Sequence, residues 1–188
     1  MALARVVVLL VVAGLVAQPA LAQEQQPAPT QQDLEFAKEA AEGGLKEVQF
    51  GRLAQQHARS PQVADFGRRM VQDHGKANAR LKEIAEQKGI ELPQELPEDV
   101  QQQYEELQTL AGESSAEAGQ EAGPAQVDQV YMQEMVKDHQ EDIAAFEKEA
   151  QSGEHKELQT FAEETLPTLR EHLELAQQVQ SEVGGDGG

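Results

Sequence analysis

Five histidines, no cysteine and 34 Asp and Glu side chains define the chemistry open to this chain. Imidazole and carboxylate together hold divalent transition metals, or form buried hydrogen-bond networks. Three of the histidines, His74, His139 and His172, fall in the apolar phase of helix-like sequence. Met70-Val71-Gln72-Asp73-His74 matches Met135-Val136-Lys137-Asp138-His139 in four of five positions. Each of these two histidines therefore follows an aspartate and shares a helical face with a methionine one turn earlier. His57 and His155 sit at the ends of predicted helices and are expected to be exposed.

Counting along the chain adds a carboxylate. Glu47 lies 13 residues before Ser60 and His74 lies 14 after it, so an antiparallel hairpin turning at Ser60 places them level. His139 and His172 reach similar heights on the two later helices. One transition metal ion (Cu, Zn, Fe or Mn) could then be held by Glu47, His74, His139 and His172. Asp73 and Asp138 would orient the imidazoles from behind, and Met70 and Met135 would be ligands only for copper. The alternative is a core hydrogen-bond network with methionine as filler, which can fix helix register without binding anything. Di-iron carboxylate bundles use Glu-x-x-His on two helices. That motif is absent here, since Val71, Val136 and Leu169 stand three residues before the inward histidines. There is no phosphate-binding Gly-rich loop, nucleophile elbow or His-Glu-x-x-His either, and the expectation is a protein without enzymatic activity.

The elements that must carry these residues are helices. Phe36, Ala40, Gly43, Glu47, Phe50 and Ala54 recur at alternating four and three over about 33–57, with Asp33 as cap. Leu34, Ala37, Ala41, Leu45 and Val48 widen that face. Ser60-Pro61 stops the first helix and starts a second over about 61–88, whose seam is Val63, Phe66, Met70, His74, Ala77, Leu81 and Ile84. Gly89, Pro93 and Pro97 interrupt, and a short helix follows at about 98–111. The small, polar stretch from Gly112 to Gln126 reads as a mobile loop. Two more helices follow over about 126–151 and 155–182, separated by Ser152-Gly153. The expected fold is all-α: a four-helix bundle over 33–182, with a long helix-containing crossover between its second and third helices. Aromatic residues are only 4% and there is no Trp, so the core must rest on Ala, Leu, Val and a few Phe.

The chain's ends read differently. Residues 1–22 have the form of a secretory leader: Arg5, an apolar run from Val6 to Val16, and Ala20-Leu21-Ala22 as the cleavage site. That predicts a periplasmic or secreted protein starting at Gln23, with no transmembrane segment after removal of the leader. Residues 23–32 are read as a flexible lead-in and 183–188 as a disordered tail. The net charge of −19 argues against nucleic acid as a partner. An envelope protein or a second copy of the chain are the partners left open.

The stretch Glu42 to Leu53, Ser60 to Val63 leading to Phe66, Met70 to His74, Tyr131 with Met135 to His139, and Leu166-Pro167-Thr168-Leu169 leading to His172-Leu173 resembles a bacterial exported-protein family, called domain of unknown function 4142. The resemblance spans about residues 33–178. It implies a ferritin-like helical bundle behind a signal peptide and no established activity. The positions that fit its pattern are Glu47, Asp73, His74, Asp138, His139, Pro167 and His172.

Overall fold

A computed structural model describes residues 27–112 and 124–185. The leader at 1–22, the first part of the lead-in, most of the Gly-rich stretch and the last three residues lie outside the described residues. Those described form five α-helices: α1 (Gln31–His57), α2 (Pro61–Lys88), α3 (Glu98–Leu110), α4 (Pro124–Ser152) and α5 (Lys156–Gly185). No strand occurs among them.

The helix ends differ from the sequence expectation at three points, each for a local reason. α1 starts at Gln31, inside the expected lead-in, because Thr30 and not Asp33 is its cap. Thr30 and Asp33 form a reciprocal capping box, with Asp33 at the third helical position. Ser60 caps α2 with its backbone alone, since its hydroxyl bonds Gln62. The N–H groups of Arg59 and Ser60 are taken instead by the buried carboxylate of Asp128 on α4, at 3.0 and 2.7 Å. α5 runs through Pro167 to Gly185, so the expected tail is helical for its first three residues. Gly89 ends α2 in the left-handed conformation, at φ 68°, where a side chain would be strained.

The four long helices each pack against two others: α1 on α2 and α4, and α5 on α2 and α4. Contacts at the ends give their directions. Gln32 and Asp33 at the start of α1 meet Ser152 at the end of α4 and Glu154 just after it, while Arg59 and Ser60 meet Asp128 at its start. Lys88 at the end of α2 pairs with Glu157 at the start of α5. Neighbours therefore run antiparallel, and α2 and α4 begin at the same end. The crossover must travel the length of the molecule to allow this, and α3 is the part of it that packs on α4 and α1.

Close approach of α1 and α2 depends on a pair of glycines. A Cβ on Gly51 would lie 2.8 Å from the Gly67 carbonyl oxygen, and one on Gly67 would lie 2.6 Å from that of Gly51. Backbone stands on both sides, so neither position can accept a side chain without moving a helix.

The core is two apolar clusters rather than one. The first gathers Phe50, Leu53, Phe66, Tyr131, Met135 and Val179, with Leu107 of α3. The second gathers Phe36, Leu81, Ile84, Phe146, Phe161 and Leu169. Phe36 meets Phe146 edge-on at 4.9 Å between ring centres. The stripe of Leu34, Leu45 and Val48 lies at the rim, and Leu34 is 39% exposed.

Asp33 ties the second end together. Besides its bonds to Thr30, it accepts the N–H groups of Glu154 and His155 at the head of α5, at 3.0 and 3.2 Å. Burial alone would raise its pKa, but these bonds outweigh burial and draw it down to about 2. Replacing Asp33 by Ala removes half of the α1 capping box and the acceptor at the head of α5, and should cost about 2 kcal/mol at neutral pH. A group with a depressed pKa stabilises above its unfolded value and loses that contribution as pH falls through the folded one. Urea unfolding at a series of pH values should therefore show the full Asp33→Ala deficit above about pH 4, shrinking toward about pH 2.

Candidate metal centre

The gap between the two apolar clusters falls at one level on all four long helices. On α1 it lies between Ala41 and Phe50, on α2 between Met70 and Leu81, on α4 between Met135 and Phe146, and on α5 between Leu169 and Ala176. Glu47, His74, His139 and His172 fill it, one from each helix. Their exposures are 1%, 6%, 0% and 0%, so a polar layer crosses the interior.

The hydrogen bonds of two of the rings fix which nitrogen carries the proton. His139 Nδ1 lies 2.8 Å from the Met135 carbonyl, which can only accept, so Nδ1 is the N–H. His172 Nε2 lies 3.2 Å from Asp73 Oδ2, so Nε2 donates there. Burial would raise Asp73, but bonds from Lys76 and His172 hold it below the usual carboxylate range, which keeps it an acceptor. His74 Nδ1 sits 2.5 Å from Glu47 Oε2, and its Nε2 is buried without a hydrogen-bond partner.

The remaining ring nitrogens converge. One ring nitrogen from each of the three histidines lies within 4.8 Å of the other two. His139 Nε2 is 3.4 Å from His172 Nδ1 and 3.4 Å from Glu47 Oε1. With the outer nitrogens protonated, both of these inner nitrogens present lone pairs. Two lone pairs at that separation repel unless a cation or an added proton lies between them. An added proton is disfavoured. Burial lowers the pKa of His74 and of His172 to about 4, and lowers that of His139. A tetrahedral ion with metal–nitrogen bonds of about 2.0–2.1 Å sets its nitrogens ~3.3 Å apart, close to the 3.4 Å between His139 Nε2 and His172 Nδ1.

The carboxylates divide into three roles. Glu47 touches two of the rings, and burial pushes its pKa up to about 7. Asp73 backs His172, as a metal-site orienting carboxylate does. Asp138 turns away from the rings to Lys46, at 2.9 Å, and Glu134 binds the same ammonium at 3.1 Å. The sequence reading did not assign Asp142 to the site. Asp142 lies beside Glu47, and burial, then the charge of Glu47, raises its pKa well above the ordinary value. The helical phase of Asp142, one turn after His139, was the available signal. Tyr131 also borders the layer, with its hydroxyl buried and unpaired. Met70 and Met135 pack in the first apolar cluster, and Met135 serves the centre through its backbone carbonyl.

The two histidines expected to be exposed are not. His155 is 1% exposed because Asp33 draws its backbone into the end of the molecule, and His57 is half-buried.

With this geometry established, comparisons place it among known proteins. The sequence model of a family described as "Domain of unknown function (DUF4142)" matches residues 18–179. No curated protein matches the chain. A solved structure titled "Crystal structure of DUF305 fragment from Deinococcus radiodurans" is similar, with a TM-score of 0.64 and 11% identity. The match covers 83% of this chain and 99% of that one, and at such identity it speaks for the fold alone.

The tautomers are directly observable. Long-range proton–nitrogen NMR of the metal-free protein at pH 7 should show Nδ1–H for His139 and Nε2–H for His172. Nε2–H on His139 would set a bare Nδ1 against the Met135 carbonyl and remove the converging lone pair.

Proposed function

Because the chain belongs to the family described as Domain of unknown function (DUF4142), a description that names no activity, we propose a function from its own residues: an exported transition-metal-binding protein. In this reading its four long helices form a ferritin-like bundle that holds one ion at mid-height. The ligands are His74, His139 and His172, with Glu47 as the fourth, and Asp73 orients His172. The observation that carries the reading is the convergence of the three rings, with the outer nitrogens of His139 and His172 already hydrogen-bonded. Three imidazoles and a carboxylate suit Zn, Fe, Mn or Cu(II). The sulfurs of Met70 and Met135 are not needed for such a set, so copper, if bound, would be held as Cu(II).

The role is binding rather than catalysis. The Glu-x-x-His pairs of di-iron oxidation centres do not occur in the sequence. Export rests on the leader-like residues 1–22. The layer's place in a periplasmic or secreted chain points to metal handling in envelope stress tolerance. Among the described residues no helix is long and apolar enough to cross a membrane.

One observation favours a second reading, a structural or interaction module of the envelope without metal. The contact of His74 with Glu47 and the nearness of Asp142 to Glu47 can satisfy part of the layer by sharing protons.

Elemental analysis separates the two. The chain from Gln23, purified without a histidine tag from its exported location, should carry about one equivalent of Zn, Fe, Mn or Cu. The His139→Ala/His172→Ala variant should carry none. Added metal at a hundredfold over Kd should stabilise the metal-free protein by about 2.7 kcal/mol and raise its thermal midpoint. A metal-free protein whose midpoint ignores all four ions would establish the hydrogen-bond network instead.

A further inference from the structure

A centre buried this deeply needs a path for its ion, and two clefts border the polar layer. One lies between α1, α3 and α4, has a volume of about 380 Å³, and reaches the layer through Asp142. The other lies between α2 and α5, has a similar volume of about 380 Å³, and reaches it through Asp73. Their charges differ. Five carboxylates and two ammonium groups line the first, whereas three carboxylates and three cationic side chains line the second. A cation is drawn to the first and gains nothing on average from the second.

The inner ends differ as well. Asp73 is held by Arg69, Lys76 and His172, so an arriving ion would have to displace those partners. Asp142 instead links the open cleft to Glu47, whose carboxyl is 1% exposed and in contact with two of the three rings. The Nε2 of His74 is buried and without a hydrogen-bond partner. Gly43 keeps this passage open. It lines the same cleft, and a Cβ there would come within 3.3 Å of Asp142 Oδ1. One turn further along α1, Lys46 is held by Asp138 and Glu134, which offset its positive charge.

We propose that the cleft between α1, α3 and α4 is the entry route of a divalent cation. Asp142 at its floor is the transfer carboxylate that passes the ion to Glu47 and the histidines. The proposal rests on the metal-binding reading above. It gives the insertion helix α3 a function, since Asp99, Val100 and Gln103 form one wall of the cleft.

Stopped-flow uptake of Co(II), followed by its visible absorption, tests the route on the full metal-free protein. Asp99→Asn with Glu141→Gln alters exposed mouth charges and should slow loading about tenfold at low ionic strength, with the difference vanishing at high salt. Gly43→Val should slow it at all salt concentrations. Both variants should reach the stoichiometry of the wild type, and circular dichroism checks that each is folded. Glu164→Gln with Glu171→Gln, across the other cleft, should leave the rate unchanged. Wild-type rates in the first two variants, or slowing only in the third, would overturn the route while leaving the metal centre standing. No Co(II) bound at equilibrium by the wild type would sink both.

Discussion

A layer of polar side chains crosses the interior of this protein, and much of the architecture follows from keeping it satisfied. Glu47, His74, His139 and His172 divide the core into two apolar clusters. Burying such groups is costly unless each finds a partner. Replacing a buried polar set with apolar side chains of similar volume is often neutral or stabilising, by about 1–4 kcal/mol. Stability alone therefore does not account for the layer. Its outer hydrogen bonds are made to the Met135 carbonyl and to Asp73, and those bonds direct the remaining lone pairs inward. In the proposed reading a bound cation is the partner of those lone pairs.

The fold holds the layer by fixing helix heights at both ends. Asp33 joins the head of α1 to the head of α5, and Asp128 joins the start of α4 to the turn before α2. The Gly51–Gly67 contact sets the spacing of α1 and α2 between them. A slip of one residue rotates a helix by about 100° and would carry a histidine out of the layer. Capping across helices thus bears directly on the site.

Much of this is legible in the sequence. The helices follow from the spacing of Phe36, Phe50, Phe66, Met70, Leu158 and Leu169, and the family follows from motifs around the inward histidines. The common height of Glu47 and His74 comes from counting residues on either side of Ser60. What counting does not reveal is how a side chain is used once it arrives. Asp142 stands in an apolar stripe between His139 and Phe146, and only packing against Glu47 gives it a role. Asp138 sits beside His139 in sequence but turns to Lys46. His155 looks exposed at a helix start, yet a carboxylate 122 residues away draws its backbone inward. Each of these depends on contacts between distant segments, which periodicity does not encode.

The central claim is that the inner imidazole nitrogens are metal ligands. X-ray absorption at the edge of the ion carried by the purified protein tests it most directly. The account predicts a first shell of three imidazole nitrogens at about 2.0–2.1 Å and one carboxylate oxygen. A shell of oxygens alone would place the ion on surface carboxylates and contradict the assignment.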